Sequence, residues 1–198
     1  MLSSATKMRY SVFRTFHAIT CFLSSSPSSP IPTLPYSHIS NLHHHALVSF
    51  DRLINRRHPP SHVEMGKLLK SLIRDKHYHA AVSLFSQLQF RGIAPNFITM
   101  SMLIDCFCQM GHMGYAFSVL GKIFKMGYQW NVITLTTLMK GLCINGKVKS
   151  ALEFHDEVRA QGYQLNEVTY GTLMNGLCKI GKTRAAIELV QLAAEPTD

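Results

Sequence analysis

A run of twelve residues returns at a fixed interval of 35, and this period limits the fold more than any other feature of the chain. Val132-Ile133-Thr134-Leu135-Thr136-Thr137-Leu138-Met139-Lys140-Gly141-Leu142-Cys143 is followed by Glu167-Val168-Thr169-Tyr170-Gly171-Thr172-Leu173-Met174-Asn175-Gly176-Leu177-Cys178. One period earlier, residues 97–108 keep the same apolar pattern. Independent columns share the register: Cys108, Cys143 and Cys178; Gly111, Gly146 and Gly181; Gly92, Gly127 and Gly162; Ala81, Ala116, Ala151 and Ala186; Asn96, Asn131 and Asn166. A single hairpin of this length cannot bury its own apolar face, so neighbouring units must supply the rest of the core.

The columns divide the chain into units at 62–96 (the most degenerate), 97–131 and 132–166, with a cut-off copy at 167–198. Residues 41–61 fit the second half of a preceding unit. Each unit reads as two helices and two turns. In the third, Thr134 is expected to cap the first helix, and Leu135, Leu138, Met139 and Leu142 follow at helical spacing. Gly146 ends that helix by permitting a left-handed turn. The second helix is predicted from about Val148 to Ala160, packing through Ala151, Leu152, Phe154, His155 and Val158, with Gly162 ending it. The β-branched runs are too short for a sheet. The predicted architecture is therefore all-α: a right-handed superhelical solenoid of antiparallel helix pairs. The cysteine column lies on the apolar face of the first helices, where each thiol is expected to act as a small buried hydrophobe.

Residues 1–40 differ in kind. They carry Lys7, Arg9 and Arg14 and no acidic residue, and Ser24-Ser25-Ser26-Pro27-Ser28-Ser29-Pro30 supports neither a stable helix nor a packed core. Basic, serine-rich and acid-free is the composition of an organellar presequence followed by a linker. A secretory signal is the competing reading, because Ala18 to Leu23 is fairly apolar. The apolar stretches fall short of the roughly 20 residues that cross a bilayer, so no stable membrane insertion is expected. Of the net charge of +9, residues 51–198 keep +6, from 17 basic and 11 acidic side chains. That balance favours an anionic partner without naming it.

The catalytic and metal-binding classes find little support. Five cysteines form no closed disulfide framework, and Cys106-Phe107-Cys108 lacks the two-residue gap of a zinc knuckle. His43-His44-His45 has no fixed thiol or carboxylate companions. Walker, dinucleotide, His-Glu-x-x-His and nucleophile-elbow motifs are absent from the sequence, and Glu153, Asp156 and Glu157 lie on one helix facing water. The chain is read as a non-enzyme with no metal and no cofactor.

The 35-residue period, with Val168-Thr169-Tyr170-Gly171-Thr172-Leu173-Met174-Asn175-Gly176-Leu177-Cys178-Lys179 as its best copy, resembles the pentatricopeptide repeat over roughly residues 44–192. Uniform spacing resembles the P class of that family, and Cys-Phe-Cys at 106–108 is similar to the plant restorer-of-fertility-like group. The resemblance implies sequence-selective binding of single-stranded RNA in an organelle, a mitochondrion or alternatively a plastid, at one base per unit. It implies a role in transcript processing, stabilisation or translation control, and further RNA-processing proteins as partners.

Carried over by position, the base-reading residues implied are Gly66, Ser101, Thr136 and Gly171 in the first helices, and Asn96, Asn131 and Asn166 at the unit ends. Val63, Ile98, Ile133 and Val168 correspond to base-flanking aliphatics. A hydroxyl and an amide can each donate and accept, which suits reading a base edge. By the family's rule, Ser101 with Asn131 and Thr136 with Asn166 read two adjacent adenines; Gly66 and Gly171 lack a reading side chain. Trp130 and Leu165 replace the family's usual proline. Lys140, Lys147, Lys149, Lys179, Lys182 and Arg184 are candidate phosphate contacts.

Each assignment has an alternative. The small hydroxyl residues also suit an exposed turn, the asparagines suit turn closure, the aliphatics suit ordinary packing, and the basic residues suit a solvated helix face. A protein-binding helical scaffold is the alternative function. Length bears on all of these readings: two well-discriminated contacts at roughly 1–3 kcal/mol each cannot specify one transcript. A truncated product, without independent function, is therefore a further expectation.

Overall fold

In a computed structural model of the protein, the described residues are Val48 and 61–194, without Arg91 and Trp130 and without the side chains of 192–194. The expected leader at 1–40, the partial unit before Ser61 (Val48 apart) and the turn at Trp130 lie outside them. The described residues form four helix pairs: α1 (His62–Arg74) with α2 (Tyr78–Phe90), α3 (Phe97–Gln109) with α4 (Met113–Lys125), α5 (Val132–Ile144) with α6 (Val148–Ala160), and α7 (Glu167–Lys179) with α8 (Thr183–Ala194). No strand occurs among them.

Caps fix where the first helices begin. Ser61 accepts from the Glu64 backbone N–H at 3.3 Å while the Glu64 carboxylate accepts from Ser61 N–H at 3.0 Å, a reciprocal capping box. At the next three boundaries Asn96, Asn131 and Asn166 place Oδ1 at 2.9, 2.8 and 3.1 Å from the backbone nitrogens of Thr99, Thr134 and Thr169. Helix α5 thus starts at Val132, capped by Asn131, three residues earlier than a start capped by Thr134. The correction follows from backbone geometry. A cap must be extended and must accept from the residue three positions on; Asn131, at φ −110° and ψ 159°, does both. Thr134 supplies the N–H that is capped.

The second helix of the third unit has the predicted bounds, and Ala151, Phe154, His155 and Val158 are buried in it. Gly146 and Gly162 end their helices at φ +72° and +81°. In the first unit the same left-handed place is held by Lys76, at φ +60°. Its helix end is still closed by His77 N–H bonding to Leu72 O at 2.8 Å.

Two layers result. Helices α1, α3, α5 and α7 pack successively against one another, while each second helix lies against its own first helix and, where one follows, that of the next unit. Between inner helices the contact is glycine on cysteine: a Cβ on Gly141 would lie 2.6 Å from Cys108 Cβ, and one on Gly176 would lie 2.7 Å from Cys143 Sγ. Asn145 reinforces the first contact by donating to Cys108 O at 2.9 Å. Between α4 and α6 of the outer layer, Phe117 and Phe154 meet edge to face with ring centroids 5.8 Å apart. The first helices make up the inner layer and the second helices the outer layer.

The cysteine column behaves less uniformly than expected. Cys108 is buried beneath Gly141, Cys143 is half-buried against Gly176, and Cys178 is exposed. The glycine one unit ahead lies against Cys108 and Cys143, and among the described residues none takes that place over Cys178.

Candidate functional site

The N-terminal turns of the inner helices place an aliphatic, a hydroxyl or glycine, and an asparagine at corresponding points of successive units. Val63, Ile98, Ile133 and Val168 stand at the second position of their helices and are 65%, 59%, 71% and 66% exposed. Four branched apolar side chains open to solvent at a constant interval are costly to leave uncovered. Ordinary core packing does not describe them.

Gly66, Ser101, Thr136 and Gly171 follow three residues later, on the same helical face. Ser101 is half-buried and Thr136 is 9% exposed. Their hydroxyls are engaged within the protein. Ser101 Oγ lies 3.0 Å from Phe97 O, and Thr136 Oγ1 lies 2.7 Å from Val132 O, both one turn back on their own helices. Each also meets a threonine of the next unit: Ser101 with Thr134 at 3.2 Å, Thr136 with Thr169 at 2.7 Å. The sequence reading allowed these hydroxyls both to donate and to accept; the single proton of each is taken up inside the fold, which leaves acceptor capacity.

The threonines lead on to the asparagines. Thr134 Oγ1 lies 2.9 Å from Asn131 Oδ1, and Thr169 Oγ1 lies 3.0 Å from Asn166 Oδ1. The structure therefore brings Ser101 together with Asn131, and Thr136 together with Asn166, each through one hydroxyl. Asn96 has no such connection to Gly66, which lacks a side chain. There Thr99 Oγ1 still lies 3.1 Å from Asn96 Oδ1, but it meets no hydroxyl of the preceding unit, and it also accepts from Asn96 N–H at 3.1 Å and lies 2.9 Å from Asn96 O. The sequence reading gave the threonine column no role beyond capping; its signal was Thr99, Thr134 and Thr169 at a spacing of 35.

The basic candidates divide between the layers. Lys140 is exposed on α5, one turn beyond Thr136, and Lys179 is exposed at the end of α7. Lys147 and Lys182 stand in the turns before α6 and α8. Lys149 and Arg184 lie on the second helices α6 and α8, where they face Glu153 at 3.8 Å and Glu188 at 3.4 Å. Among the described residues no group of three His, Cys, Asp or Glu side chains gathers as a metal site, and no helix is long and apolar enough to cross a membrane.

The PPR (pentatricopeptide repeat) family model matches residues 60–109, 98–144 and 130–179, and a second PPR repeat model matches 168–192. Among solved structures, the pentatricopeptide repeat protein PPR10 in complex with an 18-nt psaJ RNA element is similar at a TM-score of 0.67 and 24% identity, over 76% of this chain and 23% of that one. PPR10 from maize gives a TM-score of 0.63 at 24% identity, over 77% and 22%. Arabidopsis thaliana nuclear protein-only RNase P 2 gives 0.58 at 18% identity, over 75% and 34%. These identities establish a shared fold, and the chain spans between 22% and 34% of the length of those proteins. No curated protein matches the chain.

Proposed function

Because this chain belongs to the pentatricopeptide repeat family, we propose that it binds single-stranded RNA along its inner layer, one base per unit. The observation that carries this reading is the exposed column Val63, Ile98, Ile133 and Val168 beside the small polar pairs. Aliphatic surfaces at constant spacing suit flat, stackable bases, and the polar pair beside each suits a base edge. Ser101 with Asn131 and Thr136 with Asn166 read two adjacent adenines. Gly66 and Gly171 contribute backbone and space without discrimination.

Lys140 and Lys179, with Lys147 and Lys182 in the turns, meet phosphates in this reading, so affinity falls as salt rises. The protein acts by occupying RNA rather than cutting it, in transcript processing, stabilisation or translation control. Two selective contacts specify few bases, which favours action with other RNA-processing proteins. The composition of residues 1–40 supports a mitochondrial site, with the plastid as alternative.

The test is a selection from random single-stranded RNA with the full chain, run in parallel with Thr136→Asn. Adjacent adenines should be enriched, and the variant should change preference at one of them. Identical enrichment by both proteins removes the base-reading assignment, and absence of binding removes the RNA reading altogether. Residues 1–40 fused to a reporter should enter an organelle; cytosolic retention overturns the leader.

A further inference from the structure

We propose that Thr134 and Thr169 are positioning residues that set the hydrogen-bond polarity of the two base-reading pairs, and so select bases with an exocyclic amino group beside a ring-nitrogen acceptor. This rests on the RNA-binding reading above and adds residues to it from the following unit. Proton accounting carries it. At the Thr136 junction three contacts compete for two hydroxyl protons: Thr136 to Val132 O at 2.7 Å, Thr136 with Thr169 at 2.7 Å, and Thr169 to Asn166 Oδ1 at 3.0 Å. Thr136 donates to Val132 O while Thr169 donates either to Thr136 or to Asn166, or else Thr136 donates to Thr169 and Thr169 donates to Asn166. In all three orders the Thr136 proton stays inside the protein, and Thr136 offers a base only lone pairs.

Asn166 is oriented by the same group. Its Oδ1 accepts from Thr169 N–H at 3.1 Å, which fixes the amide plane and leaves Nδ2–H2 as the donating end. With Thr136 meeting the exocyclic group and Asn166 the ring nitrogen, this order of acceptor and donor complements adenine and cytosine. In that register it opposes guanine and uracil, which present a carbonyl and a ring N–H. Thr169 is fully buried, so water does not compete for these bonds. Ser101, Thr134 and Asn131 repeat the arrangement with contacts of 3.2 and 2.9 Å.

The first junction is an internal control. With Gly66 in the fifth place, Thr99 has no hydroxyl to meet, and it closes a capping box with Asn96. The threonine–asparagine contact accompanies the cap at all three junctions, at 3.1 Å for Thr99 and Asn96, while the bond across the boundary forms only where the preceding unit supplies a reading hydroxyl.

The experiment uses the full chain and RNA oligonucleotides that carry each of the four bases at the two selected positions. Thr169→Val keeps shape and removes the hydroxyl; it should reduce amino-over-keto discrimination about tenfold at one base and leave the neighbouring base unaffected. Thr169→Ser should restore the discrimination, and Thr99→Val should not alter it at either base. If Thr169→Val keeps wild-type discrimination while Thr136→Asn changes it, the positioning role falls and base reading survives. If wild type discriminates nowhere, the underlying reading falls. Should Thr169→Val fail to fold, Thr134→Val at the other junction decides the question by the same criteria.

Discussion

Ser101 Oγ lies 3.2 Å from Thr134 Oγ1 across the boundary between two units, and Thr134 in turn holds Asn131. Ser101→Ala removes one half-exposed hydroxyl and should cost about 1 kcal/mol of stability. Discrimination at one RNA position should fall several-fold. Melting temperature and competition between oligonucleotides measure the two effects; unaltered discrimination would count against Ser101 as a reader.

Lys76 holds a left-handed conformation at φ +60° where the following units have glycine. Lys76→Gly relieves that strain and should stabilise the first unit by about 1 kcal/mol. Denaturant unfolding is the check, and a destabilised variant would refute strain at this turn.

Two glycines in the inner layer should respond in opposite directions to alanine. At Gly141 a Cβ would lie 2.6 Å from Cys108 Cβ, so Gly141→Ala should destabilise by about 1–3 kcal/mol through overpacking. At Gly171 nothing lies within 4 Å, and Gly171→Ala should stabilise its helix by about 1 kcal/mol. Thermal melts of the two variants should separate to either side of wild type.

Ile133 is 71% exposed, and Ile133→Ser should leave folding unaffected. RNA affinity should fall about fivefold, through loss of roughly 1 kcal/mol of apolar contact, with base preference retained. A drop in melting temperature without a drop in affinity would assign Ile133 to packing instead.

Burial, with the Asp105 carboxylate nearby, pushes the Cys106 and Cys108 thiols up to about 12. Native protein near neutral pH should therefore resist alkylation at these two positions, while exposed Cys178 reacts. An unfolded thiol ionises near about 8.5, so the stabilising contribution is complete below that pH. It is lost as pH rises through the folded value of about 12, because the unfolded state releases its proton first. Unfolding titrations in that alkaline range should show stability declining, and less steeply in Cys106→Ala.

Much of the fold was legible because it repeats. The glycine columns marked helix ends that the backbone indeed turns at, and the run from Val148 to Ala160 carried its own boundaries. The start of α5 was misplaced by three residues because Thr134 and Asn131 both suit capping, and only backbone geometry separates them. Which column would face which was not legible. The closeness of Gly141 to Cys108, and of Thr134 to Ser101, depends on how far one unit is displaced along the next, a quantity absent from any single unit. Cys178 illustrates the same point: residue type predicted burial, but cover comes from a neighbour.

On the proposed RNA-binding reading, the hydroxyl bridges also place the recognition module out of phase with the folding module. A segment cut at 97–131 carries Ser101 and Asn131 but leaves Thr134 behind. Grafted into another array, it would keep its selectivity only if its new successor brought a threonine to the third place. Recombination among such arrays is therefore constrained at each seam, and a transplant that extends through Thr134 would travel intact.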